Sequence, residues 1–356
     1  MKKRLLSLFL VVVMTFSVSI PAFAVEIEKA ESLIDSRIMS LVEAKIDASN
    51  VKININMIKN LKDFAGNEYK LVECLPTGYY IIHPESGIVI ESSPSAKSPY
   101  DGFDSNLYYG GPTYYYVKSQ GDYVHTVLDT VLDNNKFAET VATCNVVNNE
   151  LISQININVT NYIDGNSSNL PLITDKASGN DYWVTNYTWF KNLKSKFGYM
   201  YGGYCGYIAA NLILKYFDDR GKIDLPSPYN TVNSTALTQE LIDIGDDLGY
   251  GAGTWAYDIA DVINEFCSQQ NILEEASWAI GVAGLNTEIK SNKRPCILFG
   301  NLDAAGNHAV VAYGYNDYEN SGYNTMICHY GWNGNYSEIH VYGGTSIFGS
   351  NTKYKI

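Results

Sequence analysis

Three helix-patterned stretches followed by four strand-patterned ones constrain the fold of the second half of this chain most strongly. The run IAANLILKYF, just after Cys205, places Ile208, Leu212, Ile213, Tyr216 and Phe217 on one side and stops at Asp218-Asp219-Arg220-Gly221. Two more amphipathic helices are expected near 235–246 and 256–269. Beyond them, 295–301, 308–315, 323–330 and 336–343 alternate or run apolar between glycine and asparagine turns. Helices first and strands afterwards is an α+β arrangement, with a cleft where the two halves meet.

The first half reads differently. Leu33, Ile38, Leu41, Val42 and Ile46 recur near a 3.6-residue period, so 25–50 is expected to be helical. Strands are expected at 69–75, 79–83 and 88–90, the last two joined by the turn Pro84-Glu85-Ser86-Gly87. The stretch from Ser93 to Tyr116 reads as loop, and 123–155 as helix. Residues 161–181 are polar and rich in turn formers, the best linker in the chain. These features divide the chain into a signal peptide at 1–24, a smaller α+β unit at 25–160, a linker at 161–181 and a second unit at 182–356.

The signal peptide rests on a basic start at Met1–Arg4, an apolar core at Leu5–Ile20 and the small-x-small site Ala22-Phe23-Ala24. The apolar run is short for a membrane span, so a soluble, exported, extracellular protein is expected. A formal net charge of −13 disfavours nucleic acid as a partner. The six cysteines, at 74, 144, 205, 267, 296 and 328, show no CxxC, and no paired histidine spacing suggests a metal. Export permits disulfides without requiring them in a chain this long. Cys296 and Cys328 lie in apolar runs and read as buried thiols.

Cys205 is the candidate nucleophile. Gly198, Gly202 and Gly203 before it allow a sharp turn, so that the thiol opens a helix, where free amides and the helix dipole favour thiolate. His308, at the start of an apolar strand, is the candidate base. His329, on the next strand, is the candidate orienter, with Asn307, Asp317 and Asn333 as alternatives, and Trp332 is placed to shield that bond from water. The backbone N–H of Cys205 offers one oxyanion donor. For a second donor the chain offers Asn192, Asn186 and, weakly, Asn301.

YCGYIAANLILKYF, NHAVVAYGY and HYGWNG together resemble the secreted bacterial papain-fold cysteine peptidases, streptopain-like and bacteriocin-leader-peptidase-like, over about 182–345. YKLVECLPTGYYIIHPESGIVIE, residues 69–91, is similar to the pro-domains of streptopain-like zymogens. The resemblance implies a papain-like domain whose helical half carries Cys205 as nucleophile and whose antiparallel β half carries His308 as base. An inhibitory pro-domain would precede it, and no cofactor is implied. The family usually has asparagine or aspartate where His329 stands, and an oxyanion glutamine where this chain offers Tyr199 and its neighbours. The leading expectation is a monomeric cysteine endopeptidase made as a zymogen and acting on protein or peptide. Its rivals are another thiol acyl-transfer enzyme on the same fold (an amidase or transglutaminase) and a non-catalytic exported binding protein.

Overall fold

The computed structural model describes residues 39, 42–43, 53–132, 137–146, 148–149, 152–153, 180–193, 203–231, 234–281, 284–285, 287–300, 308–318, 323–332, 336–342 and 348–355. The signal peptide, nearly all of the expected first helix, the linker up to residue 179, and Tyr199, Asn301, Asn307 and Asn333 lie outside the described residues. The protein mixes helices with one large sheet.

Strands β1 (Asn54–Lys62), β2 (Glu68–Leu75), β3 (Tyr79–His83) and β4 (Ile88–Ser93) form an antiparallel meander. The two-residue period of a strand explains why β2 and β3 are buried almost throughout. Tyr69, Leu71, Tyr79 and Ile81 point into the main core. Val72, Cys74, Tyr80 and Ile82 point the other way, into a small second cluster with Val42 and Ile53. The expected strands at 69–75, 79–83 and 88–90 are all present.

The tyrosine-rich stretch that follows departs from expectation. It forms β5 (Leu107–Tyr109), β6 (Tyr115–Ser119), β7 (Asp122–His125) and β8 (Thr130–Val131) instead of loop and helix, and among the described residues helix is next seen from 137. Alternating aromatics drive this, with Tyr109, Tyr115 and Val117 buried in the main core. The β6–β7 hairpin closes through Gln120-Gly121, both at positive φ (52° and 100°), with Ser119 paired to Asp122. That is the two-residue turn matching strand twist, though Gln-Gly is not its usual signature.

The second half follows the expected order. A short strand β9 (Asn180–Trp183) and helix α1 (Thr188–Asn192) lead to α2 (Cys205–Asp219), α3 (Ala236–Asp247) and α4 (Ala256–Gln269). Strands β10 (Glu275–Ile280), β11 (Cys296–Gly300), β12 (Ala309–Tyr318), β13 (Tyr323–His329), β14 (Ile339–Tyr342) and β15 (Phe348–Lys355) complete the chain. Helix α2 lies on β11 and β12 and against α3 and α4. It is buried from Gly206 to Phe217, including Asn211, whose amide donates to Thr238 Oγ1, and Lys215, whose ammonium donates to the Thr231 and Ser234 carbonyls.

The strand order β10-β15-β11-β12-β13-β14-β4-β3-β2-β1-β5-β6-β7-β8 runs through both halves of the chain, and β9 joins at β12. The seam is β14 against β4, where Val341 faces Glu91 and His340 faces Ser92. Ser93 Oγ also donates to the Glu338 carbonyl at 2.7 Å. Residues from both sides of the 161–181 stretch fill one main core.

Candidate active site

Cys205 is the first residue of α2, and two backbone features put it there. Gly203 has φ +84°, and a Cβ at that position would lie 2.7 Å from the Gly253 nitrogen. Only glycine permits both the left-handed turn and the close approach. In return, Gly253 N–H donates to the Gly203 carbonyl at 3.0 Å. All six cysteines are free thiols, and Cys205 alone among them is not fully buried.

The sulfur of Cys205 faces backbone amides. Burial raises its pKa above the ordinary thiol value, while the N–H groups of Ala309, Gly206 and Cys205 itself pull the other way. Ala309 opens β12, so the thiol meets the strand at the residue next to His308. Burial lowers the His308 pKa to about 4, the Tyr330 carbonyl opposes that shift, and His125 adds to it. Both shifts favour the neutral form of the group concerned.

His308 Nε2 lies 2.7 Å from the carbonyl oxygen of Tyr330. A carbonyl only accepts, so Nε2 carries the proton and Nδ1 keeps the lone pair. Trp332 is 4% exposed, and its ring packs against His308, with centroids 4.9 Å apart, and against Tyr330.

The expected orienter, His329, does not meet His308. Its Nε2 donates to the Leu193 carbonyl at 2.9 Å, and its Nδ1 accepts the Gly331 N–H at 2.9 Å. Both ring nitrogens are occupied on 1% exposed ground, which leaves nothing to offer a second imidazole. The group that holds His308 is a backbone carbonyl, which has no signature in sequence. Of the alternatives, Asn307 and Asn333 lie outside the described residues, as does the side chain of Asp317. Among the oxyanion candidates, Asn186 is exposed and accepts from Thr188, Asn192 is exposed on α1, and Asn301 lies outside the described residues.

A further set of residues at the site comes from the first half of the chain. Thr113, Tyr114, Tyr116, His125, Leu128 and Thr130 line a cavity of about 330 Å³ together with His308 and Trp332. His125 Nε2 donates to the Thr113 carbonyl at 2.8 Å, and its Nδ1 accepts the Val127 and Leu128 amides, so one neutral ring pins both sides of this wall. Its ring also meets Trp332 edge-on at 5.8 Å. Tyr114 is held well above the ordinary phenol range, by burial first and then by Cys144, Tyr116 and Cys205. Nothing in the sequence spacing marks these residues, because the sheet that brings them here closes across the whole chain.

Behind this wall, Glu91 is fully buried. Its carboxylate accepts from Tyr79 (2.5 Å), Tyr115 (2.6 Å) and Tyr109 (3.2 Å). Burial raises its pKa to about 7 against those three hydrogen bonds.

Among the described residues no group of histidine, cysteine and carboxylate side chains is placed to hold a metal. No helix among them is long and apolar enough to cross a membrane.

No family model matches the chain, and no curated protein does. Among solved structures it is similar to a fragment of Prevotella intermedia prointerpain A, at 14% identity over 83% of this chain and 97% of that one, with a TM-score of 0.39. It is also similar to UfSP from C. elegans, at 16% identity over 52% of this chain and 36% of that one, with a TM-score of 0.35.

Proposed function

We propose that this chain is a secreted cysteine endopeptidase of papain-like fold, made as a zymogen, with Cys205 as nucleophile and His308 as general base. One observation carries the reading. The partly buried thiol at a helix start meets the Ala309 amide, beside a histidine whose Nε2–H is tied to the Tyr330 carbonyl. That tie leaves the Nδ1 lone pair as the basic site.

In the proposed reaction Nδ1 takes the proton of Cys205, and the thiolate attacks the carbonyl carbon of a peptide bond. The N–H of Cys205, at the positive end of α2, receives the developing oxyanion. The protonated imidazole passes its proton to the leaving amine. Water then enters with Nδ1 as base and releases the acid from the thioester. Proton count is conserved across both halves, and no cofactor is called on.

Residues 25–160 would be the inhibitory unit and 161–181 the joint cut to release activity. The supporting observation is the wall formed by Thr113, Tyr114, His125 and Leu128 over His308 and Trp332. Burial there disfavours the charged form of both partners. The test is to incubate purified full-length chain, follow its size and N-terminus, and assay casein or gelatin hydrolysis beside Cys205→Ala. Wild type should shorten and become active. A Cys205→Ala chain with equal hydrolysis would refute the assignment.

A further inference from the structure

We propose that His329 is a positioning residue for His308, acting through the single peptide group that joins Tyr330 to Gly331. The proposal rests on the cysteine-peptidase reading above and deepens it.

The carbonyl that accepts from His308 Nε2 and the N–H that donates to His329 Nδ1 belong to the same peptide unit. A peptide is planar, so fixing the direction of the N–H fixes the direction of the C=O. One imidazole therefore holds one end of the plane and the second imidazole is held by the other end. The chain of contacts reads His329 Nδ1, Gly331 N–H, Tyr330 C=O, His308 Nε2–H.

His329 is built for this end of the chain. It closes β13, and its Nε2–H is anchored on the Leu193 carbonyl at 2.9 Å. A carbonyl can only accept and an amide N–H can only donate, so the ring has one tautomer and must be neutral. Burial agrees, lowering its pKa to about 4. Tyr330 is fixed from its other side by its own N–H, which donates to the Tyr336 carbonyl at 2.9 Å.

The lock answers a specific weakness. Gly331 has φ +73°, and a glycine after a peptide unit lets that unit flip with little steric resistance. A flipped Tyr330–Gly331 unit would turn an N–H toward His308. The His308 ring would then be free to move its proton to Nδ1, the nitrogen needed as base. An acceptor at the Nδ1 position of residue 329 prevents this.

The two conservative replacements separate locking from packing. In His329→Asn the side-chain oxygen falls near the Nδ1 position and can accept from Gly331, but the reach to Leu193 is lost. In His329→Gln the amide nitrogen falls near Nε2 and keeps the Leu193 anchor, but no acceptor faces Gly331. The Cys205 alkylation rate with iodoacetamide, across pH and in the full chain, should fall at least about tenfold further in His329→Gln than in His329→Asn, even where the two melt at the same temperature. Nitrogen-15 histidine spectra should show the Nε2–H form of His308 in wild type and His329→Asn, and mixed tautomers in His329→Gln. Equal losses in the two variants, or losses that follow melting temperature alone, would overturn the proposal. Should a variant not fold, a nitrogen–nitrogen coupling across the Gly331 N–H to His329 Nδ1 bond in wild type reads the lock directly, and its absence also overturns it. If wild-type alkylation ignores His308→Ala, the peptidase reading fails, while the tautomer spectra still decide the lock.

Discussion

The Nε2 of His308 donates to the carbonyl of Tyr330 at 2.7 Å, and the Trp332 ring packs against the same imidazole. A backbone acceptor cannot be deleted by changing the side chain that bears it. Loss of the tyrosine ring should therefore matter less to the proposed chemistry than loss of either reacting group. Cys205→Ala and His308→Ala should each lower hydrolysis of casein by a thousandfold or more, on the order seen when one member of a nucleophile–base pair is removed. The double variant should be little worse, because the pair acts as a unit. Additive losses in kcat/KM would show that the two residues do not cooperate.

The helix start is sensitive at a single backbone position. Alanine at Gly203 would adopt φ +84° and set its Cβ 2.7 Å from the Gly253 backbone, which cannot swing away. The strained backbone and the overlap together should cost about 3 kcal/mol. Gly221 makes the control, since its φ is +61° but open space surrounds it. Gly221→Ala should cost only about 1 kcal/mol and leave Cys205 labelling as in wild type. Thermal melts and iodoacetamide rates on both variants check this, and similar behaviour of the two would argue against the Gly203 constraint.

The parts of the fold legible in the sequence are those with local causes. The helix after Cys205, the helices near 235–246 and 256–269, and the strands around His308 follow from apolar period and turn residues. The strands at Leu107–Tyr109 and Tyr115–Ser119 are not legible, because their tyrosines look like loop until long-range pairing buries them. The same holds for the site. Cys205 and His308 announce themselves by position on a helix start and a strand start. The Tyr330 carbonyl, the His125 clamp and the place of Tyr114 in the cavity beside His308 are tertiary facts, made by backbone atoms and by a sheet seam between β4 and β14.

Stability should fall on the acid side. The buried rings of His125, His308 and His329 each have a pKa lowered from 6.5 to about 4. Below pH 6.5 the unfolded chain takes up protons at these sites and the folded chain does not until about 4, so stability drops across that window. Glu91 acts in the opposite sense. Its carboxyl keeps a proton up to about 7 when folded but releases it near 4.5 when unfolded, so it weakens the fold as pH rises from 4.5 to 7. Three rings should outweigh one carboxyl, and a net loss of only ~3 kcal/mol would lower Tm by roughly 5–10 °C between pH 6.5 and 4.5. Glu91→Gln removes the opposing contribution, so its advantage over wild type should grow from pH 5 to pH 8. Parallel pH–Tm curves for the two proteins would exclude Glu91 as a buried titrating group.

The wall over the site gives the most direct test of latency. Tyr114 lines the cavity beside His308, and His125 holds the segments on either side of it by three hydrogen bonds, one to Thr113 and two from residues 127 and 128. If this wall is what keeps the thiol and the imidazole neutral, opening it should admit water and favour their charged forms. Tyr114→Ala in the full chain should then raise the Cys205 alkylation rate near neutral pH by about tenfold, a shift of roughly one pKa unit in the thiol. It should also lower Tm, since a buried aromatic ring is lost, so the rate is read where the variant is fully folded. His125→Ala should do both, speeding alkylation and lowering Tm, since it strands the Thr113 carbonyl and two amides. Cutting between about 160 and 183 should speed alkylation further and bring peptide hydrolysis with it, provided the first unit then leaves β14 and exposes that edge. A full-length chain that alkylates and hydrolyses as fast as its cut form, with Tyr114 intact, would make the first half of the chain a permanent part of the cleft and not an inhibitor.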